Sequence, residues 1–344
     1  MPHLTRRKVL KSGAAALIAL PGVVPNCALA ANKLTFASWG GSYGEQTQEF
    51  WIKPFTAETG IEVEYVLGPE LAKMKAQVTS KNVLWDVVDG LAYPAEKEGL
   101  LEPIDYKVVD PNRFLVNAPS FAVPTGGYTG GIAYDPSRSP APAKDFAQFW
   151  DVEDFPGRRG LRSRVSETLE MALLADGVAP AKLYPLDVER GFRALDSIKP
   201  HVRKWFAATA EGVSLLQTKE VEYTYTYGSR VAAAKDAGVS IEFSRDQCIT
   251  SVQYFCVLKG SPHKEAAMRF LEFVSRPGPA AKWINKLGVV ASPPVIKGVD
   301  ELLDPGVRRF TPDPASSKHV FTDDGFWAEH FVELDKRFKE WILA

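Results

Sequence analysis

Between Lys33 and Asp89 the hydrophobic period of the chain switches repeatedly between two and about 3.6 residues, and that alternation constrains the fold more than any other feature. Leu34, Phe36 and Ser38 alternate with Thr35 and Ala37, as in a strand. A Gly-rich turn is expected at Trp39–Gly44. A helix to Thr59 follows, with Phe50, Trp51 and Phe55 on one side and Gly60 as its stop. Ile61–Val66 alternates again, Leu71–Val78 is helical, and Trp85–Asp89 is a short apolar strand ending in an acid. Strand, helix, strand, helix, strand is the grammar of a parallel sheet with covering helices.

Past an irregular stretch at 101–127, Tyr128–Tyr134 reads as a strand, and Ser139-Pro140-Ala141-Pro142 is the clearest connector. A second set of alternating elements follows. Strands are expected at Leu161–Arg164, Val221–Tyr227, Val239–Phe243 and Ile249–Leu258. Ser166 caps one helix, and others are expected at Val188–Ile198, Arg230–Ala237, His263–Ser275 and Pro279–Lys286. A C-terminal helix runs from about Phe326 to Ile342. Two α/β sets joined by more than one crossing define two lobes, and ligands favour the crevice between them.

The first 30 residues read as an export signal. Arg6 and Arg7 are consecutive, Gly13–Val24 is a short apolar run, and Ala28-Leu29-Ala30 is a small-residue cleavage site. The run is shorter than the roughly 20 residues that span a bilayer. Val24-Pro25-Asn26 before Cys27 lacks the small residues of a lipid anchor, so a soluble mature chain is expected to begin near Ala31. Cleavage leaves 37 basic residues against 42 acids, moving the net charge from −1 to −5 and leaving no basic surplus for nucleic acid. Cys248 and Cys256 survive. They bridge across a bend or stay as two buried thiols, and the spacing leaves both readings open. The five histidines contain no i, i+4 pair, and neither a metal nor a cofactor is expected.

Several segments then fall in a familiar order: Leu34–Trp39, Phe55–Val63, Trp85–Val88, Lys97–Asp105, Val123-Pro124 with Gly130–Tyr134, and Phe149-Trp150 with Phe155–Gly160. With these the chain resembles bacterial extracellular solute-binding proteins of ABC importers, in particular the spermidine/putrescine-binding group. The resemblance implies a two-lobed periplasmic binding protein fold of type II. Each lobe would be a mainly parallel sheet with flanking helices, and the lobes would close on a ligand by hinge motion. It places Trp39 on the first cleft aromatic, with Ser42 and Tyr43 just after it, Asp89 and Gly90 at the end of the third strand, Thr129 on the crossing segment, and Glu167 on an acid that faces an ammonium in polyamine binders. Two acids of the polyamine pattern are replaced, one by Arg164 and one by Gln253, and Thr226 and Ser251 stand where cleft aromatics would be.

A dication in a water-poor cleft needs nearby carboxylates, so these replacements point elsewhere. Arg164 lies two residues before the Ser166 cap, and Arg230 opens a helix after Gly228-Ser229. Helix-start amides with guanidinium forks suit a carboxylate or phosphonate. An amino acid, γ-amino acid, opine-like compound or aminophosphonate is therefore expected, with polyamine as the alternative. Tyr223, Tyr225 and Tyr227 share a strand face. They are expected to pack under a helix with only Tyr227 near the cleft, against the alternative of a ferric-ion cluster. Gly40-Gly41-Ser42-Tyr43-Gly44 matches the nucleophile elbow of serine hydrolases, but no strands precede it in the mature chain to supply an oxyanion hole. The expected protein is a periplasmic monomer exported through the twin-arginine pathway. It is not an enzyme, and its partners are a small ligand and an inner-membrane permease complex. Its N-lobe is 33–130 plus 254–302 and its C-lobe 131–253 plus 303–344, hinged at Thr129–Ile132 and Ser251–Phe255.

Overall fold

The computed structural model describes residues 33–139, 141–287, 295–309, 311 and 316–344; the export signal expected at 1–30 lies outside them. The first half opens with β1 (Lys33–Ser38), α1 (the continuous stretches Gly41–Thr47, Gln48–Ile52 and Lys53–Thr59), β2 (Glu62–Leu67), α2 (Leu71–Ser80), β3 (Val87–Asp89) and α3 (Ala92–Lys97). The Gly-rich run expected as a turn is instead the first turn of α1, which begins at Gly41. A π-helical stretch in its middle turns Trp51 and Ile52 inward. Gly60 ends the helix in the left-handed region at φ 70°, where a residue without Cβ is least strained.

β4 (Val123–Tyr134) leads into α4 (Phe146–Trp150), β5 (Arg159–Arg162), α5 (Val165–Ala175), α6 (Val188–Ile198), β6 (Val202–Phe206), α7 (Thr209–Gln217), β7 (Tyr223–Tyr227), α8 (Gly228–Asp236), β8 (Glu242–Phe243) and β9 (Ile249–Val257). Then come α9 (Lys264–Val274), α10 (Pro277–Leu287), α11 (Pro305–Arg308), β10 (Val320–Phe321) and α12 (Asp324–Leu343). The strands run in the order β2-β1-β3-β9-β4-β7-β5-β6, with β10 on β9 and β8 on β4. β2, β1 and β3 are mutually parallel, as are β7, β5 and β6. β4 and β9 join the two sets antiparallel, so each lobe is a mixed sheet.

The first half of β4 pairs with β9 from Val123↔Phe255 to Gly130↔Ile249, and its second half pairs with β7. One long strand thus leaves one sheet and enters the other. Gly130 permits the change of partner, since a Cβ there would lie 1.9 Å from Tyr225 Oη. The lobes keep separate cores. The first stacks Trp51 on Trp283 at 4.3 Å and packs Phe36 against Phe255 and Phe270. The second gathers Leu169 and Leu173 of α5, Phe192 of α6 and Phe338 of α12. Leu303 and Val307 pack in the first core, so this stretch, expected in the C-lobe from residue 303, sides with the N-lobe.

The Phe149–Gly160 segment is held by one side chain. Arg159 is fully buried and donates to the carbonyls of Phe149 (3.1 Å), Asp151 (3.2 Å), Phe155 (2.5 Å) and Gly157, with its guanidinium 5.0 Å from the Tyr223 ring centre. Cys248 and Cys256 are free, buried thiols. Cys248 immediately precedes the extended strand β9 and Cys256 lies near its far end, which places them roughly 26 Å apart at about 3.3 Å per residue, far beyond disulfide reach.

Candidate functional site

A cavity of about 600 Å³ opens between the lobes. It adjoins one of about 450 Å³, and Tyr128, Arg164, Val252, Asp324 and Trp327 line both. The N-lobe side comes from strand ends: Trp39 after β1, Gly90 after β3, and Gln253 and Tyr254 where β9 crosses. The other side comes from Arg162 and Arg164 around the end of β5, the start of α5, Tyr227 at the end of β7, and one face of α12.

Behind the N-lobe wall lies Asp89, wholly buried. Its Oδ2 accepts hydrogen bonds from Ser38 Oγ (2.6 Å) and Tyr43 Oη (2.8 Å), and its Oδ1 accepts one from Gln253 Nε2. Burial pushes its carboxyl up to about 6, and hydrogen bonds from Ser38, Gln253, Tyr43 and the Trp39 side chain moderate the rise. Asp89 thus fixes Gln253 and Tyr43 rather than facing the cavity.

The C-lobe wall carries a second, closed arrangement. Arg162 Nη1 donates to Glu167 Oε2 at 2.9 Å and to Tyr227 Oη at 2.8 Å. Tyr227 Oη and Ser251 Oγ donate to Glu167 Oε1 at 3.0 and 3.3 Å. Glu167 occupies φ 71°, ψ −39°, a costly conformation for a residue with a side chain and one that clusters at functional sites. Its charge is matched by Arg162 and its oxygens are taken, so it is not a free acid waiting for an ammonium. Arg164 differs. Its Nε donates to Ser166 Oγ at 2.6 Å and its guanidinium sits 5.3 Å from the Phe331 ring centre, but no carboxylate pairs with it among the described residues.

The face of α12 completes the wall with Asp324, Trp327 and Phe331. Trp327 Nε1 donates to Glu170 Oε1 at 2.7 Å, tying the wall to α5. Burial and neighbouring Asp323 push Asp324 up to about 7, while Arg164 pulls it down. Its Oδ2 is shut off from solvent and accepts no hydrogen bond among the described residues.

Of the expected residues, Trp39, Arg164, Glu167, Tyr227 and Gln253 line the cavities. Tyr43 and Asp89 stand one layer behind. Two expectations are corrected. Thr129 is buried between the crossing strands, bonded to Thr250 Oγ1 at 2.7 Å. Arg230 is exposed and lines neither cavity, because α8 begins two residues earlier and turns it outward. The side chain of Ser42 lies outside the description. Tyr223 and Tyr225 are buried in the second core, with only Tyr227 at the cavity. Sequence reading missed Arg162, Tyr128, Asp324 and Trp327. Arg162 was within reach, since a period of two puts it on the same strand face as Arg164.

Two α/β lobes, crossing strands and a cleft between separate cores define a two-lobed binding protein. Residues 51–321 match the family described as bacterial extracellular solute-binding protein. The chain is 34% identical over 323 residues, 90% of each chain, to the gamma-aminobutyric acid-binding protein of Pseudomonas aeruginosa. It is similar to the solved structure of the Atu4243-GABA receptor, at 32% identity over 90% of this chain and 98% of that one, with a TM-score of 0.78. It is also similar to the PBP AgtB of A. tumefaciens R10 in complex with agropinic acid, at 30% identity over 91% and 99% of the two chains, with a TM-score of 0.66. The chain belongs to the family of bacterial extracellular solute-binding proteins. It is the substrate-binding component of an ABC transporter.

Proposed function

We propose that this cleft captures a small zwitterion bearing a carboxylate, of the γ-amino acid or opine kind. The observation that carries this is the state of the two cleft arginines. Glu167 neutralises Arg162, whereas Arg164 faces the cavity and forms no ion pair among the described residues. A guanidinium so placed is a natural partner for a ligand carboxylate. The GABA-binding and agropinic-acid-binding relatives support the same class. Polyamine is disfavoured, because Arg164 and Gln253 occupy positions where a dication needs acids.

Trp39, Gln253 and Tyr128 would cover the ligand from the N-lobe side and the Arg162–Glu167–Tyr227 group would shape the C-lobe side, with Asp89 and Tyr43 holding Gln253 in place. The lobes would be 33–130 plus 254–309 and 131–253 plus 316–344, hinged at Thr129–Ile132 and Ser251–Phe255. Closure would be the signal to the permease, with no chemistry performed. The protein would work as a periplasmic monomer exported by the twin-arginine route, whose signal is Arg6-Arg7 and the apolar run after it.

Calorimetric titration of the mature chain tests this. 4-Aminobutanoate, agropinic acid, putrescine and spermidine are compared, and Arg164→Ala is titrated with the best ligand. Binding of a carboxylate ligand, weakened about 100-fold by Arg164→Ala, is expected. Tight polyamine binding indifferent to Arg164→Ala contradicts the reading.

A further inference from the structure

We propose that ligand length is read by two charged poles on the C-lobe alone, Arg164 for the carboxylate and Asp324 for the ammonium. The inference rests on the reading above for Arg164 and adds the opposite pole. Asp324 opens α12 and lines both cavities. Among the described residues it forms no ion pair, and its Oδ2 accepts no hydrogen bond, although Thr322 donates one to the carboxylate. The groups that act on it or are acted on by it are Asp323 and Thr322 beside it, Glu170 of α5, Arg164, and the hydroxyls of Tyr93 and Tyr254 across the cleft. Arg164 is the one cation in that set, and it forms no ion pair with Asp324. The balance around Asp324 favours the entry of a positive group.

The spacing between the poles follows from helix geometry. Arg164 lies over Phe331, which is seven residues beyond Asp324 on the same face of α12. Two turns at about 1.5 Å per residue separate Asp324 and Phe331 by roughly 10 Å along the helix axis, which is taken as the spacing of the two poles. An ammonium and a carboxylate separated by three methylenes, with charge-assisted contacts of about 2.8 Å at each end, also span roughly 10 Å between partner atoms. Trp327 and Ala328 line the cavity between the poles and give the methylenes an apolar floor. An α-amino acid, whose charges lie on neighbouring carbons, reaches one pole only.

Both poles belong to one rigid body. α12 is packed through Trp327, Leu334 and Phe338 into the same core as Leu169 and Leu173 of α5, and Arg164 immediately precedes α5. Lobe closure therefore leaves their separation unchanged. Length is selected before the N-lobe closes, and the N-lobe supplies cover rather than the ruler.

The test titrates the mature chain with ω-amino acids of one to five methylenes and with butanoate, which lacks the amine. Affinity is expected to peak at three methylenes. Asp324→Asn is expected to lower the affinity of that member at least about tenfold while leaving butanoate unchanged. Asp324→Glu extends the pole by one methylene and is expected to move the optimum to two. Carboxylates that bind with no preference for length or amine, or an Asp324→Glu optimum that stays put, overturn this inference and leave the role of Arg164 standing. Failure of every member to bind overturns both.

Discussion

Replacing Glu170 by Gln gives a direct reading of how the α12 wall is held. Glu170 is fully buried in α5, and its Oε1 accepts from Tyr184 Oη at 2.5 Å and Trp327 Nε1 at 2.7 Å, while Oε2 has no hydrogen-bond partner among the described residues. Burial pushes its carboxyl from 4.5 up to about 7, a rise that the two donors reduce but do not cancel. Because the folded value lies above the unfolded one, the native state holds the extra proton between those limits. Stability therefore falls as pH rises through that window, and ionised Glu170 is a net cost above it. At 1.36 kcal/mol per pK unit the cost is roughly 3 kcal/mol at pH 8 and about 1 kcal/mol at pH 5.5. Glu170→Gln keeps an acceptor and removes the charge. Urea denaturation of both proteins at pH 5.5 and 8 isolates the effect, since any fixed packing penalty cancels between the two pH values. The stability difference, variant minus parent, is expected to grow by roughly 2 kcal/mol from the lower pH to the higher. A difference that does not change with pH refutes a protonated, buried Glu170.

Arg159→Leu leaves four carbonyls of the 149–157 loop without their donor, and a loss of several kcal/mol is expected in the same denaturation assay, as for other broken buried networks. Gly130→Ala places a methyl on the Tyr225 ring where β4 changes partner, and is expected to lower the melting temperature by several degrees. Thiol titration of the unfolded mature chain should find two free thiols, and reductant should leave the melting temperature unchanged, because Cys248 and Cys256 sit at opposite ends of β9; the Cys248 thiol, pushed up to about 12 by burial, is expected to resist alkylation in the folded protein.

The alternating pattern made much of this fold legible in the sequence. Helix α6 occupies Val188–Ile198, the span the sequence predicts, because Asp187 caps it and Phe192, Leu195 and Ile198 recur on one face. β6 escaped notice because Arg203 and Lys204 are exposed in the middle of an edge strand, which breaks any clean alternation. The cleft was half legible. Strand ends announced Trp39 and Arg164, since a strand followed by a polar turn marks where side chains reach a crevice, whereas Gln253, in the middle of β9, came only from the family resemblance. The α12 wall was missed because the aromatic run from Phe326 set the expected helix start. Asp323 is the true cap, accepting from Phe326 N at 3.0 Å, and that cap carries Asp324 into the cleft. Arg230 illustrates the converse: a glycine and serine beside an arginine resemble an anion site in sequence, but one turn of helix decides whether the guanidinium faces the ligand or the solvent.

Small-angle X-ray scattering of the mature chain with and without saturating 4-aminobutanoate tests the central claim, that two lobes close around a ligand anchored by Arg164. The radius of gyration should fall on adding ligand to the parent protein and stay at its ligand-free value in Arg164→Ala at the same ligand concentration. A ligand shown by calorimetry to bind the parent while its scattering profile does not change would contradict the account.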